Sequence, residues 1–231
     1  MPIKTRSLNG PNLHGTIAEP EVKGRAGVLL LPTIFGVNEF ARQYADTLAA
    51  AGLAAAVWDI NSGLPLTTDY QECIRRARTL KDAKVAGMVT RWVDMMTEEM
   101  SLSSMAVLGF CIGGRFALLQ AARDKRLRGC AVAYPSIESP RLANQDMDAL
   151  ALAREIDCPV LCLRPGNDHV TSPETYELLT RSLHERPAPT AMHRYPLAEH
   201  GFMHRKTPQA NVEATAHASP QLIAFLQACL A

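Results

Sequence analysis

Cys111, Asp168 and His200 are three residues whose types and order could carry out nucleophilic acyl transfer. A thiolate is a strong nucleophile, an imidazole can take and return a proton, and a carboxylate can hold that imidazole in one tautomer. Cys111 stands in Gly109-Phe-Cys-Ile-Gly-Gly114, between the apolar run Met105-Ala-Val-Leu108 and the helically spaced Arg115-Phe-Ala-Leu-Leu-Gln-Ala-Ala122. A strand, a tight Gly-x-Cys-x-Gly turn and a helix lift a nucleophile onto the rim of a parallel sheet. A buried cysteine in an ordinary strand-to-helix loop is the alternative reading of that segment alone. Asp168 and His200 each follow a predicted strand, Val160–Leu163 and Met192–Tyr195, so all three groups are expected at one rim.

The elements that would position them alternate. Ala26–Leu31 is a continuous apolar run, as in a strand covered on both faces. Asn38 is the expected N-cap of a helix over 39–50 that Gly52 closes. Ala54–Trp58 reads as a strand, and 70–100 as mostly helical with a break near Lys81-Asp82. A strand over 128–134 precedes a connection from Pro135 to Pro159 with one helix expected near 145–155. Ser172 caps a helix running to His184, and a closing helix is predicted over 220–230. Residues 3–8 and 13–17 are expected to pair as an edge hairpin turning at Asn9-Gly10. The pattern implies a mostly parallel, doubly wound α/β sheet with an N-terminal antiparallel hairpin and no large cap.

At 231 residues the chain fits one α/β domain spanning 1–231. Apolar residues make up 47% and the formal net charge is +1, so nothing in the charge balance calls for nucleic acid or a membrane surface. No apolar run approaches a membrane span of roughly 20 residues, and the opening residues lack a secretory core, which makes the cytoplasm the expected location. The six cysteines are scattered rather than framed for disulfides. His200 and His204 share helical spacing, but Gly201 and Pro196 argue for a loop, so no metal is expected. Nucleotide motifs and Gly-x-Ser-x-Gly are missing, and no cofactor is expected.

The segments Thr33-Ile-Phe-Gly-Val-Asn38, Gly109-Phe-Cys-Ile-Gly-Gly114, Gly166-Asn-Asp-His169 and Glu199-His-Gly-Phe202 together resemble the dienelactone hydrolase (carboxymethylenebutenolidase) family of α/β-hydrolases. The resemblance implies Cys111 as nucleophile, His200 as base, Asp168 as its orienting carboxylate, and the backbone N–H groups of Ile34 and Ile112 as an oxyanion hole. It also implies a small-molecule ester or lactone substrate, with Phe35 and Arg205 as candidate substrate contacts, in a monomer or small homo-oligomer. Two positions depart from the family. Thr33 stands where lactonases of the family carry a glutamate beside the resting thiol, and His204 stands where they carry a carboxylate-binding arginine. The competing reading is a catalytically weak or silent relative that serves as a binding protein. A cysteine amidotransferase is disfavoured because Phe202 occupies the position of its glutamate.

Overall fold

The computed structural model describes residues 3–10 and 13–231. Eight strands form one sheet: β1 (Ile3–Gly10), β2 (Leu13–Pro20), β3 (Ala26–Leu31), β4 (Ala54–Trp58), β5 (Ser104–Phe110), β6 (Leu127–Ala133), β7 (Val160–Asn167) and β8 (Thr190–Glu199). Their spatial order is β1-β2-β4-β3-β5-β6-β7-β8. β1 and β2 pair antiparallel, as do β2 and β4, and every later pair is parallel. The expected architecture is therefore present.

Both faces are covered, which explains the unbroken apolar runs. Along β3, Leu29 and Leu31 join the core on one face while Val28 and Leu30 join the core on the other. α1 (Glu39–Ala50) and α7 (Gln209–Leu230) cover the second face, through Tyr44 and Leu48 and through Leu222 and Leu226. α3 (Asp82–Glu98), α4 (Ile112–Arg123) and α6 (Pro173–His184) cover the first, with Trp92, Phe116 and Leu179 among their buried residues. α2 (Tyr70–Ala77) lies apart from both cores and packs Cys73 and Ala77 against Ile34 beside the sheet's C-terminal rim.

Local chemistry accounts for several boundaries. Asn38 accepts from Ala41 N–H at 3.0 Å and opens α1, and Ser172 accepts from Thr175 N–H at 3.2 Å and opens α6. The break between α2 and α3 falls at 78–81, in agreement with the sequence pattern. Asp82, the first residue of α3, forms a buried pair with Arg115 of α4, Nη2 to Oδ2 at 2.7 Å and Nε to Oδ1 at 3.1 Å. Met147 closes this unit, its N–H donating to Asp82 and its carbonyl accepting from Arg115. The pair thereby ties the elbow helix to the Pro135–Pro159 connection.

Four expectations need correction. Asn9 and Gly10 do not form the hairpin turn; they stay in the ladder opposite His14 and Leu13, and positions 11 and 12 lie outside the described residues. The helix expected over 145–155 is shorter, α5 (Ala149–Leu152) followed by a 3-10 turn over Ala153–Glu155, because Asp148 caps it late by accepting from Leu150 and Ala151 N–H. The closing helix begins 11 residues earlier than Pro220, which lies inside α7. The buried series Ala214, Ala218, Leu222, Leu226 and Leu230, one residue per turn, holds the helix against the sheet through the proline. β7 and β8 also run past their predicted ends, pairing Asn167 with Glu199, so Asp168 and His200 begin at adjacent strand tips.

Candidate active site

The rim of the sheet at the C-terminal ends of β5, β6, β7 and β8 gathers four loops, and a fifth follows β3. Cys111 follows β5 with φ 56° and ψ −123°, a conformation that a side chain adopts only under constraint. The constraint is close packing by glycine. A Cβ on Gly113 would lie 2.0 Å from Leu31 O, and one on Gly109 would lie 2.2 Å from Gly113 O. Their absence lets β3's end and α4's first turn approach within backbone contact, which brings Ile34 beside Ile112 in the wall of one pocket.

Within that pocket His200 Nε2 lies 3.2 Å from Cys111 Sγ. On its far side His200 Nδ1 lies 3.0 Å from Asp168 Oδ1 and 3.2 Å from Oδ2. Asp168 is itself fixed: Oδ1 accepts from Val170 and Thr171 N–H, and Oδ2 accepts from Tyr176 O–H at 2.8 Å. The three residues that chain order singled out are thus in one hydrogen-bonded row. Both ring nitrogens of His200 are engaged in that row, and His204 sits in a 3-10 turn (Phe202–His204), so helical spacing does not pair the two as ligands.

Electrostatics follow from the row. Burial pushes the Cys111 thiol up, but the His200 charge, hydrogen bonds from His200 and Ser136, and the Ile112 N–H together hold it below its ordinary value. Burial disfavours the His200 imidazolium, yet Cys111 and Asp168 overcome that and raise it to about 10. Burial likewise raises Asp168, and His200 with two backbone N–H groups brings it below its ordinary value. All three directions describe a thiolate–imidazolium–carboxylate arrangement. By contrast Cys130, Cys158 and Cys162 are pushed up by burial, as expected of cysteines used as small hydrophobes.

The pocket has a volume of about 400 Å³. Ile34 and Phe35 form one wall, Tyr70, Ile74 and Arg78 from the α2 side a second, and the Pro135–Pro159 connection contributes Glu138 and Leu142. Arg205 reaches it while pairing with Glu199 at 3.2 Å, so the two candidate substrate contacts both line the cavity. Thr33 is buried, and its hydroxyl accepts from Phe35 N–H at 3.3 Å. His204 packs edge-on to Phe35, and burial with the neighbouring Arg205 lowers it to about 4, so it is neutral near pH 7.

Three contributors carry no clear signal in the motifs: Ser136, whose Oγ is 3.2 Å from Cys111 Sγ; Tyr176, which anchors Asp168; and Arg78, which lines the pocket. Ser136 was detectable, since Tyr134-Pro-Ser136 follows a predicted strand end as Cys111 does. Tyr176 was not, because its contact depends on how α6 packs. Arg78's neighbours Arg75 and Arg76 instead pair with Glu72, at 2.7 and 2.8 Å. Asp59, just after β4, closes a turn by accepting from Asn61 and Gly63 N–H.

Comparison with known proteins agrees with this geometry. The model of the dienelactone hydrolase family matches residues 13–230. A carboxymethylenebutenolidase of Rhodococcus opacus is 32% identical over 215 residues, covering 91% of this chain and 82% of that protein. One from Pseudomonas sp. (strain P51) is 27% identical, covering 94% and 91%. In structure, a putative dienelactone hydrolase from Klebsiella pneumoniae superposes with a TM-score of 0.84 at 21% identity, covering 98% of this chain and 99% of its own. With the family model matching residues 13–230 of 231 and the hydrogen-bonded row in place, the chain belongs to the dienelactone hydrolase family.

Proposed function

We propose that this protein hydrolyses a small ester, lactone or thioester through an acyl-enzyme on Cys111, within one catalytic domain spanning the chain. The observation that carries the reading is the continuous contact from Sγ to Nε2 and from Nδ1 to Asp168. The Cys111 thiolate attacks the substrate carbonyl; the S–C bond forms as the carbonyl electron pair moves to oxygen. The N–H groups of Ile34 and Ile112 receive that oxyanion, and each such donor contributes about 2.7–4 kcal/mol to the transition state. The His200 imidazolium then protonates the departing alkoxide as the C–O bond breaks, leaving a thioester. Neutral His200 takes a proton from water, whose oxygen attacks the thioester; collapse expels the acid and restores the thiolate–imidazolium pair. Asp168 keeps Nε2 facing the sulfur throughout.

The size of the pocket and its apolar wall of Ile34, Phe35, Tyr70, Ile74 and Leu142 support small, partly apolar substrates. The relatives' names point to lactones. Thr33 cannot serve as a carboxylate beside the thiol, so ionisation of Cys111 falls to His200. The test compares wild type with Cys111→Ala on a panel of p-nitrophenyl esters and on dienelactone. Wild type should turn over esters and C111A should lose at least about 10⁴-fold in kcat, as removal of a nucleophile does. Thr33→Glu tests whether lactonase activity increases. Equal activity in wild type and C111A refutes the proposal.

A further inference from the structure

Two side chains converge on one sulfur: His200 Nε2 and Ser136 Oγ each lie 3.2 Å from Cys111 Sγ. A neutral thiol can give its one hydrogen to Nε2 and accept only weakly from Ser136. A thiolate accepts strongly from both at once. Ser136 is also fixed in place, being buried and donating its N–H to Cys111 O at 2.9 Å. Backbone and side chain of Ser136 thus clasp the same residue from both ends. We infer that Ser136 is a thiolate-stabilising residue of the active site, its hydroxyl donating to Cys111 Sγ and keeping the nucleophile charged before substrate arrives. The inference rests on Cys111 being the nucleophile.

The surroundings make this donor matter. The acid that lines the pocket, Glu138, accepts from Gln145, and no carboxylate is hydrogen-bonded to Sγ among the described residues. Arg78 and Arg205 bring positive charge to the same cavity. His169 and His204 line it too, and Tyr134, kept protonated by burial, packs edge-on against His200 at 5.3 Å between ring centroids. None of these is hydrogen-bonded to the sulfur, so the fixed Ser136 hydroxyl is the neutral side-chain donor available there. During attack, charge leaves sulfur for the carbonyl oxygen. Ser136 remains beside the sulfur and meets its charge again when the thioester collapses.

The test follows the rate of iodoacetamide labelling of Cys111 against pH, read by peptide mass spectrometry in wild type, Ser136→Ala and Ser136→Thr. Ser136→Ala should raise the midpoint of the labelling curve by about one pH unit, which corresponds to about 1.4 kcal/mol, and slow labelling about tenfold at a fixed pH below both midpoints. Ser136→Thr, which keeps the hydroxyl, should stay close to wild type. An unchanged midpoint in S136A, or an equal rise in S136T, overturns the inference. Labelling needs no turnover, so this readout is decided separately from the ester panel.

Discussion

Cys111 occupies a backbone conformation that costs free energy, and the structure returns that cost as a sulfur facing His200 at 3.2 Å. The opposite shifts of the two groups set a pH profile. Cys111 ionises below its ordinary range and His200 holds its proton until about 10. The value of kcat/KM should rise through the lowered Cys111 ionisation, stay level across neutral pH, and fall as pH approaches the His200 value. In His200→Ala only burial, Ser136 and Ile112 act on the thiol, so the acid limb moves to higher pH. Iodoacetamide labelling at pH 7 should then slow by at least about tenfold, the effect of a one-unit shift. A His200→Ala profile that overlays wild type would remove the imidazole from the account. At this scale the sequence was informative: cysteine, aspartate and histidine were recognisable by type and order. Ser136 and Tyr176 were harder, because a hydroxyl shows its role only when its partner is seen.

The elements matter because they set where backbone donors point. β3 and α4 come close only where Gly113 offers no side chain, and the loop carrying Ile34 follows from that approach. Gly113→Ala would drive a Cβ into Leu31 O, so the strand end must retreat. Overpacking of this kind costs about 1–3 kcal/mol, or a fall of about 2–12 °C in Tm for a chain of this size. If the Ile34 N–H is an oxyanion donor, kcat should fall about 10²-fold or more besides. Calorimetry together with ester kinetics reads both; wild-type kcat in a folded G113A would show that the approach does not position the donor. Strands and capped helices were legible from periodicity and from Asn38 and Ser172. The long α7 was not, since Pro220 signals a helix start locally and only the buried stripe from Ala214 to Leu230 overrides it.

For the whole molecule, parallel strand order brings residues distant in the chain to one rim. Cys111 and His200 meet although 89 positions separate them. The buried Asp82–Arg115 pair and the Met147 backbone fasten the Pro135–Pro159 connection, so one border of the pocket is anchored to the elbow helix itself. That tie was invisible beforehand, because a buried arginine reads in sequence like a solvated one. The central claim is that acyl transfer passes through Cys111, and the most direct measurement is rapid acid quench of a p-nitrophenyl acetate reaction followed by peptide mass spectrometry. The account predicts an acetyl group on the Cys111 peptide during turnover, with no adduct at that site in C111A. Steady turnover with Cys111 unmodified, or an acetyl group carried on another residue at the rate of turnover, would contradict it.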